Sequence, residues 1–375
     1  FIFTEKELYA EWQHVEALKA RLENTEAIAI AVGSGVMNDT TKYVSHLVSR
    51  KYMCVGTAAS MDGYTAYGAS ITKDGNKQTF DCPAPYGFVM DPVIAADAPK
   101  ELAASGYADL IAKIPAAADW MLADVTGNEA IDEFALNLVQ DGLRESLSAP
   151  AAVFAGDVEM TEKLSEGLLM SGFAMQAARS SRPASCTDHL FSHLWNMRNH
   201  TYQGVTPSHG FQVSVGTLMM CAMFDQMYKS DFTQLDVDAA VAAWKSADQV
   251  RHEAEELFAG EAFAELGVTE IMAKYDDKDE VRRQLNLVKA NWPDLKAKLQ
   301  AQCYTFDQMY RSLAIVGAPV KPEDVGISKA QMKSDVPFVR HIRRRYNMMD
   351  LGLRAGTLDT WVNGVFGKGG VWEIK

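Results

Sequence analysis

Eight histidines occur in the 375 residues, and four of them crowd into one stretch: His189, His193, His200 and His209. His189 and His193 stand four apart in Asp188-His-Leu-Phe-Ser-His193, so a helix would set both on one face. His209 precedes Gly210 where another helical pattern begins. Two imidazoles and one carboxylate make a three-donor set that leaves coordination positions open, the arrangement a catalytic divalent ion requires. Asp109, in Gly106-Tyr-Ala-Asp-Leu110 on an otherwise apolar helical stretch, is a candidate carboxylate, although a lone Asp there equally serves as a cap or a core hydrogen-bond partner. Spacing alone leaves ligation and core packing both open. His200 reads as loop, and His14, His46, His252 and His341 read as structural.

Two loops could serve a phosphorylated cofactor. Ala27–Val32 is a short apolar run ended by Gly33-Ser34-Gly35, with a helix opening near Asn38-Asp39. Glycines at a strand end let a phosphate approach the backbone, and the next helix offers free N–H groups and a positive dipole end. The third glycine of GxGxxG is replaced by Asn38, so an ordinary strand-to-helix turn fits as well. Thr57-Ala-Ala-Ser60-Met61-Asp62-Gly63 is a small-residue polar loop after a second strand, on the edge where α/β sheets bind ligands; Asp62-Gly63 by itself also makes a plain turn.

The elements that must hold these residues change in character along the chain. Residues 1–98 alternate strand and helix: Phe1–Phe3 as a strand end, Glu5–Leu22 as a helix, Ala27–Val32 as a buried parallel strand, and Tyr52–Val55 and Gly87–Asp91 as further strands. A hairpin is expected from Ala69–Lys73 and Lys77–Phe80 about Asp74-Gly-Asn76. Residues 99–375 read as helical, with helices expected over 99–124, 129–146, 159–178, 186–199, 209–228, 236–258, 278–302, 304–315 and 338–351. The fold class is therefore an α/β N-terminal domain (1–98) followed by an all-α domain (99–375).

Composition narrows the function. The formal net charge of −13 disfavours binding to a phosphate backbone, so no nucleic-acid partner is expected, and an anionic substrate needs a locally positive pocket. Cys54, Cys82, Cys186, Cys221 and Cys303 form no CxxC pair, which points to a reduced, cytoplasmic protein and away from a cysteine-rich zinc site. No apolar run reaches the roughly 18 residues of a membrane span, and no signal segment is evident.

Taken in order, Gly33-Ser-Gly-Val-Met-Asn-Asp39, Thr57-Ala-Ala-Ser-Met-Asp-Gly63, Gly106-Tyr-Ala-Asp109, Ser181-Arg-Pro-Ala-Ser185, Asp188-His-x-x-x-His193 and His209-Gly210 resemble the glycerol-1-phosphate dehydrogenase family, especially its bacterial AraM-like branch. That family sits in the iron-containing alcohol dehydrogenase and dehydroquinate synthase superfamily. The likeness runs from about residue 25 to 220 and returns weakly at Arg340-His-Ile-Arg-Arg-Arg-Tyr346. It implies a Rossmann-like NAD(P)-binding domain and an all-α domain, the dehydroquinate synthase-like or iron-containing alcohol dehydrogenase fold, with the active site between them. It also implies a divalent ion (Zn²⁺, Ni²⁺ or Fe²⁺) on Asp109, His189 and His209, and His193 and Asp62 as catalytic residues in contact with substrate. Gly33, Gly35, Asn38, Asp39, Thr57 and Ser60 would bind cofactor. The reaction implied is hydride transfer between NAD(P)H and dihydroxyacetone phosphate, in phospholipid metabolism, by a homodimer.

Arg182 or the Arg343-Arg344-Arg345 cluster is the expected phosphate-binding group; the cluster could equally be a helix-terminal charge run. Departures are Ala66 for a cofactor-contacting Ser, Cys186-Thr187 for Gly-Ser, an unmatched helical stretch over 225–335, and only 32 residues before Gly33, where the family carries a further βαβ portion. Alternatives are a glycerol-type dehydrogenase of unphosphorylated polyols, a dehydroquinate synthase-like cyclase, whose first ligand is typically Glu rather than Asp, and a non-catalytic relative.

Overall fold

The structure is a computed structural model that describes residues 1–4, 8–73 and 76–375. Its first elements are α1 (Trp12–Leu22), β1 (Ala29–Gly33), α2 (Gly35–Leu47), β2 (Tyr52–Gly56), β3 (Ala69–Lys73), β4 (Asn76–Phe80) and β5 (Gly87–Met90). Strands β1, β2 and β5 pair in parallel in that order, with Gly33 opposite Gly56 and Gly56 opposite Met90, so all three carboxyl ends lie at one edge. Strands β3 and β4 form a separate antiparallel pair. The expected hairpin turn lies partly outside the described residues, at 74–75.

Two expectations about this half are corrected. Phe1–Phe3 forms no strand, and of the helix expected over Glu5–Leu22 the described residues are helical from Trp12, with 5–7 lying outside the described residues. The Ala27–Val32 run is buried on one face only: Ala31 and Cys54 pack under Tyr64, whereas Ile30, Val32, Met53 and Val89 point outward and stay exposed. Alternation across the pleat explains it, because successive side chains leave opposite faces.

Helices follow: α3 (Pro92–Ala96), α4 (Lys100–Ile111), α5 (Lys113–Thr126), α6 (Glu133–Gln140), α7 (Leu143–Ser146), α8 (Pro150–Ala155), α9 (Val158–Ala178), α10 (Thr187–Met197) and α11 (His209–Met227). Beyond them lie α12 (Val237–Ala243), α13 (Ala247–Leu257), α14 (Ala264–Ala273), α15 (Lys278–Gln302), α16 (Phe306–Val316), α17 (Lys329–Val339), α18 (Met348–Arg354) and α19 (Leu358–Phe366). Helix α11 is apolar on all sides and buried along nearly its whole length, so it forms the axis of this half. No helix among the described residues is long and apolar enough to cross a membrane.

The single helix expected over 236–258 is two. The Trp244 indole N–H donates to the Asp276 carbonyl at 2.8 Å, and Ser246 starts α13 with a capping box closed by Gln249. The helix expected over 338–351 also breaks. Three consecutive arginines there reach in two directions: Arg343 and Arg345 bond Ser181, and Arg345 also Ser185, while Arg344 between them pairs with Glu270. One regular helix cannot aim successive side chains that way.

Candidate metal centre and cofactor cleft

Close backbone contact sets the positions of the ligand-bearing helices. A Cβ at Gly106 of α4 would collide with the Ala59 carbonyl oxygen, and one at Gly210 of α11 with that of Ser105 on α4. One at Gly216 would strike the Asp188 carbonyl on α10. Glycine at these three places lets α4, α10, α11 and the 57–63 loop approach at backbone distance.

Around that crossing Asp109, His189 and His209 each offer a donor atom, all within 4.8 Å of one another. Asp109 is fully buried, and its Oδ1 lies 3.4 Å from His189 Nε2. The other ring nitrogen of His189 is bonded by Asp188, and Ser192 Oγ lies 3.3 Å from His209 Nδ1. Ligating imidazoles are characteristically oriented in this way by a second hydrogen bond. Asp109 Oδ2 accepts the Asp62 backbone N–H at 3.0 Å.

One residue here was not singled out from the sequence. Lys113, fully buried, places Nζ 2.6 Å from Asp109 Oδ1 and 2.8 Å from Asp62 Oδ2, and Ser171 Oγ donates to Asp62 Oδ2 at 2.9 Å. A lysine four residues after an aspartate in an apolar run was the available signal. Burial would depress the Lys113 ammonium, but the two carboxylates outweigh it and raise its pKa. Burial likewise works against Asp109 ionisation, yet Lys113 and the His189 hydrogen bond hold its carboxyl well below the usual range. Asp62 is pushed up, by burial first and by the Asp109 charge second. Counted as ionised, Asp62, Asp109 and Asp188 against Lys113 leave two negative charges, which a divalent cation would neutralise. The donor set and its charge fit such an ion.

His193 lies one helical turn from His189, half-buried, with Nε2 3.0 Å from an Arg343 guanidinium nitrogen. An arginine can only donate, so Nε2 is the acceptor and the ring proton sits on Nδ1. Arg343 also donates to Ser181 Oγ at 2.7 Å, and Arg345 to the same atom at 2.8 Å. Among the described residues no carboxylate lies within ion-pair distance of either guanidinium. Burial, then the neighbouring Arg343 charge, pushes Arg345 down to about 10. Arg182 is placed differently: its guanidinium is buried against Cys186 Sγ and the carbonyls of Asp119 and Tyr346, with Glu129 at 3.3 Å.

The sheet edge gathers the other expected residues. Gly33 ends β1 at φ +150°, a conformation L side chains rarely adopt, and the Thr57 N–H donates to its carbonyl at 3.1 Å. Helix α2 starts at Gly35 with no side-chain cap, leaving its first N–H groups for an anion. Asn38 and Asp39 face inward instead: Asn38 Oδ1 accepts the Tyr52 hydroxyl at 3.0 Å, and Asp39 Oδ2 the Ser70 N–H at 3.0 Å. Lys42, also unforeseen, donates to the carbonyls of Gly63, Ala66 and Gly68 at 2.8–3.1 Å and ties the loop to α2. Ser60 Oγ lies 3.2 Å from the Tyr64 hydroxyl.

Comparison with known proteins agrees with this layout. Residues 2–99 match the sequence profile of the iron-containing alcohol dehydrogenases. A probable glycerol dehydrogenase from Sinorhizobium meliloti superposes with a TM-score of 0.57 at 16% identity, covering 95% of this chain and 84% of that one. Maleylacetate reductase from Rhizobium sp. gives 0.58 at 13% identity, covering 96% and 82%. The chain has the iron-containing alcohol dehydrogenase fold. Within that fold it is similar to glycerol-1-phosphate dehydrogenase [NAD(P)+] from Pyrococcus furiosus, 34% identical over 198 residues, 53% of this chain and 56% of that protein. The enzyme from Halalkalibacterium halodurans is 29% identical over 197 residues, 52% and 49% respectively. The chain thus spans about half the length of the curated relatives it matches. The resemblance expected from the ordered motifs is borne out over that half, and so is the fold class.

Proposed function

We propose that this chain forms the active site of a metal-dependent NAD(P)H oxidoreductase that reduces dihydroxyacetone phosphate to sn-glycerol 1-phosphate. The observation that carries the reading is the Arg343–Arg345 pair beside His193, with no carboxylate in ion-pair contact among the described residues and one helical turn from the carboxylate–imidazole cluster. Asp109, His189 and His209 would hold one divalent ion, which when bound supplies Lewis acidity at a ketone oxygen. The reduced nicotinamide cofactor would lie along Gly33, Gly35 and Thr57, its pyrophosphate at the α2 N-terminus. Arg343, Arg345 and Ser181 would receive the substrate phosphate, and Asp62 its hydroxyl. His193, with its ring proton on Nδ1, would donate a hydrogen bond from there to the substrate oxygen, the proton that the alkoxide takes up coming from solvent. Asn38, Asp39 and Ser60 support the cofactor loop from behind, and Arg182 the wall beneath the phosphate pocket. The division near residue 98 belongs to the same reading, since every strand precedes it and every metal ligand follows it. So do a homodimer, checked by sedimentation velocity, and a reducing compartment, which five unpaired cysteines suit.

The test is NAD(P)H oxidation with dihydroxyacetone phosphate and with dihydroxyacetone, before and after chelation, with Zn²⁺ or Ni²⁺ added back. Turnover that prefers the phosphate ester, stops on chelation and returns with metal supports the reading. Turnover insensitive to chelation overturns it, and preference for the plain ketone shifts it to a glycerol-type dehydrogenase, the activity named for the Sinorhizobium meliloti neighbour.

A further inference from the structure

A second cavity, of about 550 Å³, opens among α13, α14, α17, α18 and α19, in the helical stretch that the ordered motifs do not reach. Its volume falls in the range of small-molecule sites, about 300–1,000 Å³. Val250, Leu257 and Val362 give it apolar walls. Its floor is charged and buried: Lys274 Nζ lies 2.9 Å from Asp350 Oδ2, and Arg354 reaches Asp276 at 2.8 Å. Arg340 touches Asp350 only at 3.5 Å, near the limit of a hydrogen bond, so most of its donors are not spent on that carboxylate.

Three buried cations thus face two carboxylates, and one positive charge is left over. The rim does not cancel it: Lys245 pairs with Glu253, and the remaining rim charges, Lys333 (bonded to Asn363) and Asp359, are one of each sign. His341 stays neutral there, since burial and the Arg340 charge push it down to about 3. An aromatic pair flanks the mouth, with Trp244 stacked on Tyr275 at 6.2 Å between ring centroids.

We propose that this cavity binds a small organic monoanion with an apolar or aromatic body, its acid group on Arg340 and Lys274 and its body against Val250, Leu257 and Val362. An apolar wall alone would take neutral hydrocarbons. The surplus buried charge makes an acid head the better occupant, because it completes Arg340's bonding where water is scarce. None of the lining residues belongs to the metal cluster or the nucleotide loop, so the cavity is a separate place in the fold from the proposed reaction site.

The experiment uses the full chain and 8-anilino-1-naphthalenesulfonate as probe, followed by calorimetry and fluorescence. One saturable site is expected, emptied by octanoate but not by octanol, and unchanged after chelation. Arg340→Gln should weaken the probe at least tenfold. Val250→Trp, which fills the cavity from a half-exposed position without changing charge, should do the same and decides the matter if Arg340→Gln fails to fold. Absence of saturable binding, equal displacement by octanol, or unchanged affinity in Val250→Trp overturns the proposal.

Discussion

Lys113 Nζ lies 2.6 Å from Oδ1 of Asp109, four residues earlier in the chain, and neither side chain is exposed to solvent. The same ammonium is 2.8 Å from Asp62, so one cation binds two buried carboxylates from different elements. It draws the 57–63 loop, the first turn of α5 and the end of α4 into one unit.

Removing that cation leaves two like charges together in a low-dielectric site. Lys113→Met is therefore expected to destabilise the chain by about 3–5 kcal/mol, the usual cost of stranding a buried charge. Urea unfolding of the single variant and of Lys113→Met with Asp62→Asn checks this. The double variant should recover part of the loss, and equal loss in both would show that packing, not charge, is at stake.

Gly210→Ala forces α11 away from α4, since the new methyl would meet the Ser105 carbonyl. His209 begins that helix and moves with it. Zn²⁺ affinity, read by competition with a chromophoric chelator, should fall at least tenfold while helix content by circular dichroism is kept. Unaltered affinity would mean the three donors do not depend on that contact.

Arg343 and Arg182 should separate by kind of effect. Arg343→Ala is expected to raise KM for the phosphorylated ketone roughly 10- to 100-fold, the range of a charge-assisted hydrogen bond, and to leave KM for dihydroxyacetone unchanged. Arg182→Ala should lower the thermal midpoint instead, because its guanidinium is engaged with backbone carbonyls inside the wall. An equal rise of KM for both ketones in Arg343→Ala would remove it from the phosphate site.

His341 gives a pH dependence whose sign follows from burial. Its ring is edge-on to Phe258 and Nδ1 donates to the Pro337 carbonyl, while burial and Arg340 push its pKa down to about 3. The unfolded chain takes up this proton near pH 6.5 and the folded chain only near 3. The stability it contributes is thus complete above pH 6.5 and is lost on acidification through that window, at up to about 1.4 kcal/mol per pH unit. Urea midpoints between pH 7 and 4.5 should fall less steeply in His341→Gln than in the parent.

How far the sequence could be read depended on what set each feature. Periodicity and the glycine breaks located the strands at 29–33 and 52–56 and the helices at 158–178 and 278–302, because local pattern decides those. The i, i+4 spacing set His189 and His193 on one face, but which donors converge on Asp109 was fixed by backbone crossings at Gly106, Gly210 and Gly216, contacts remote in the chain. Asn38 and Asp39 lie in the expected loop, yet their side chains turn inward to Tyr52 and Ser70, a matter of packing rather than position. The break at 340–347 follows from partners on two remote segments, around Ser181 and at Glu270, and no window of ten residues contains that information.

That break gives two places in the molecule a common connector. Arg340 enters the second cavity, and three residues on Arg343 grips His193, with no regular helix between to hold them apart. Three residues of chain reach at most about 10 Å, so a shift in one guanidinium is hard to hide from the other. If an anion draws Arg340 toward itself, the phosphate ester should sense it, and reciprocity requires the anion to sense the ester by the same factor.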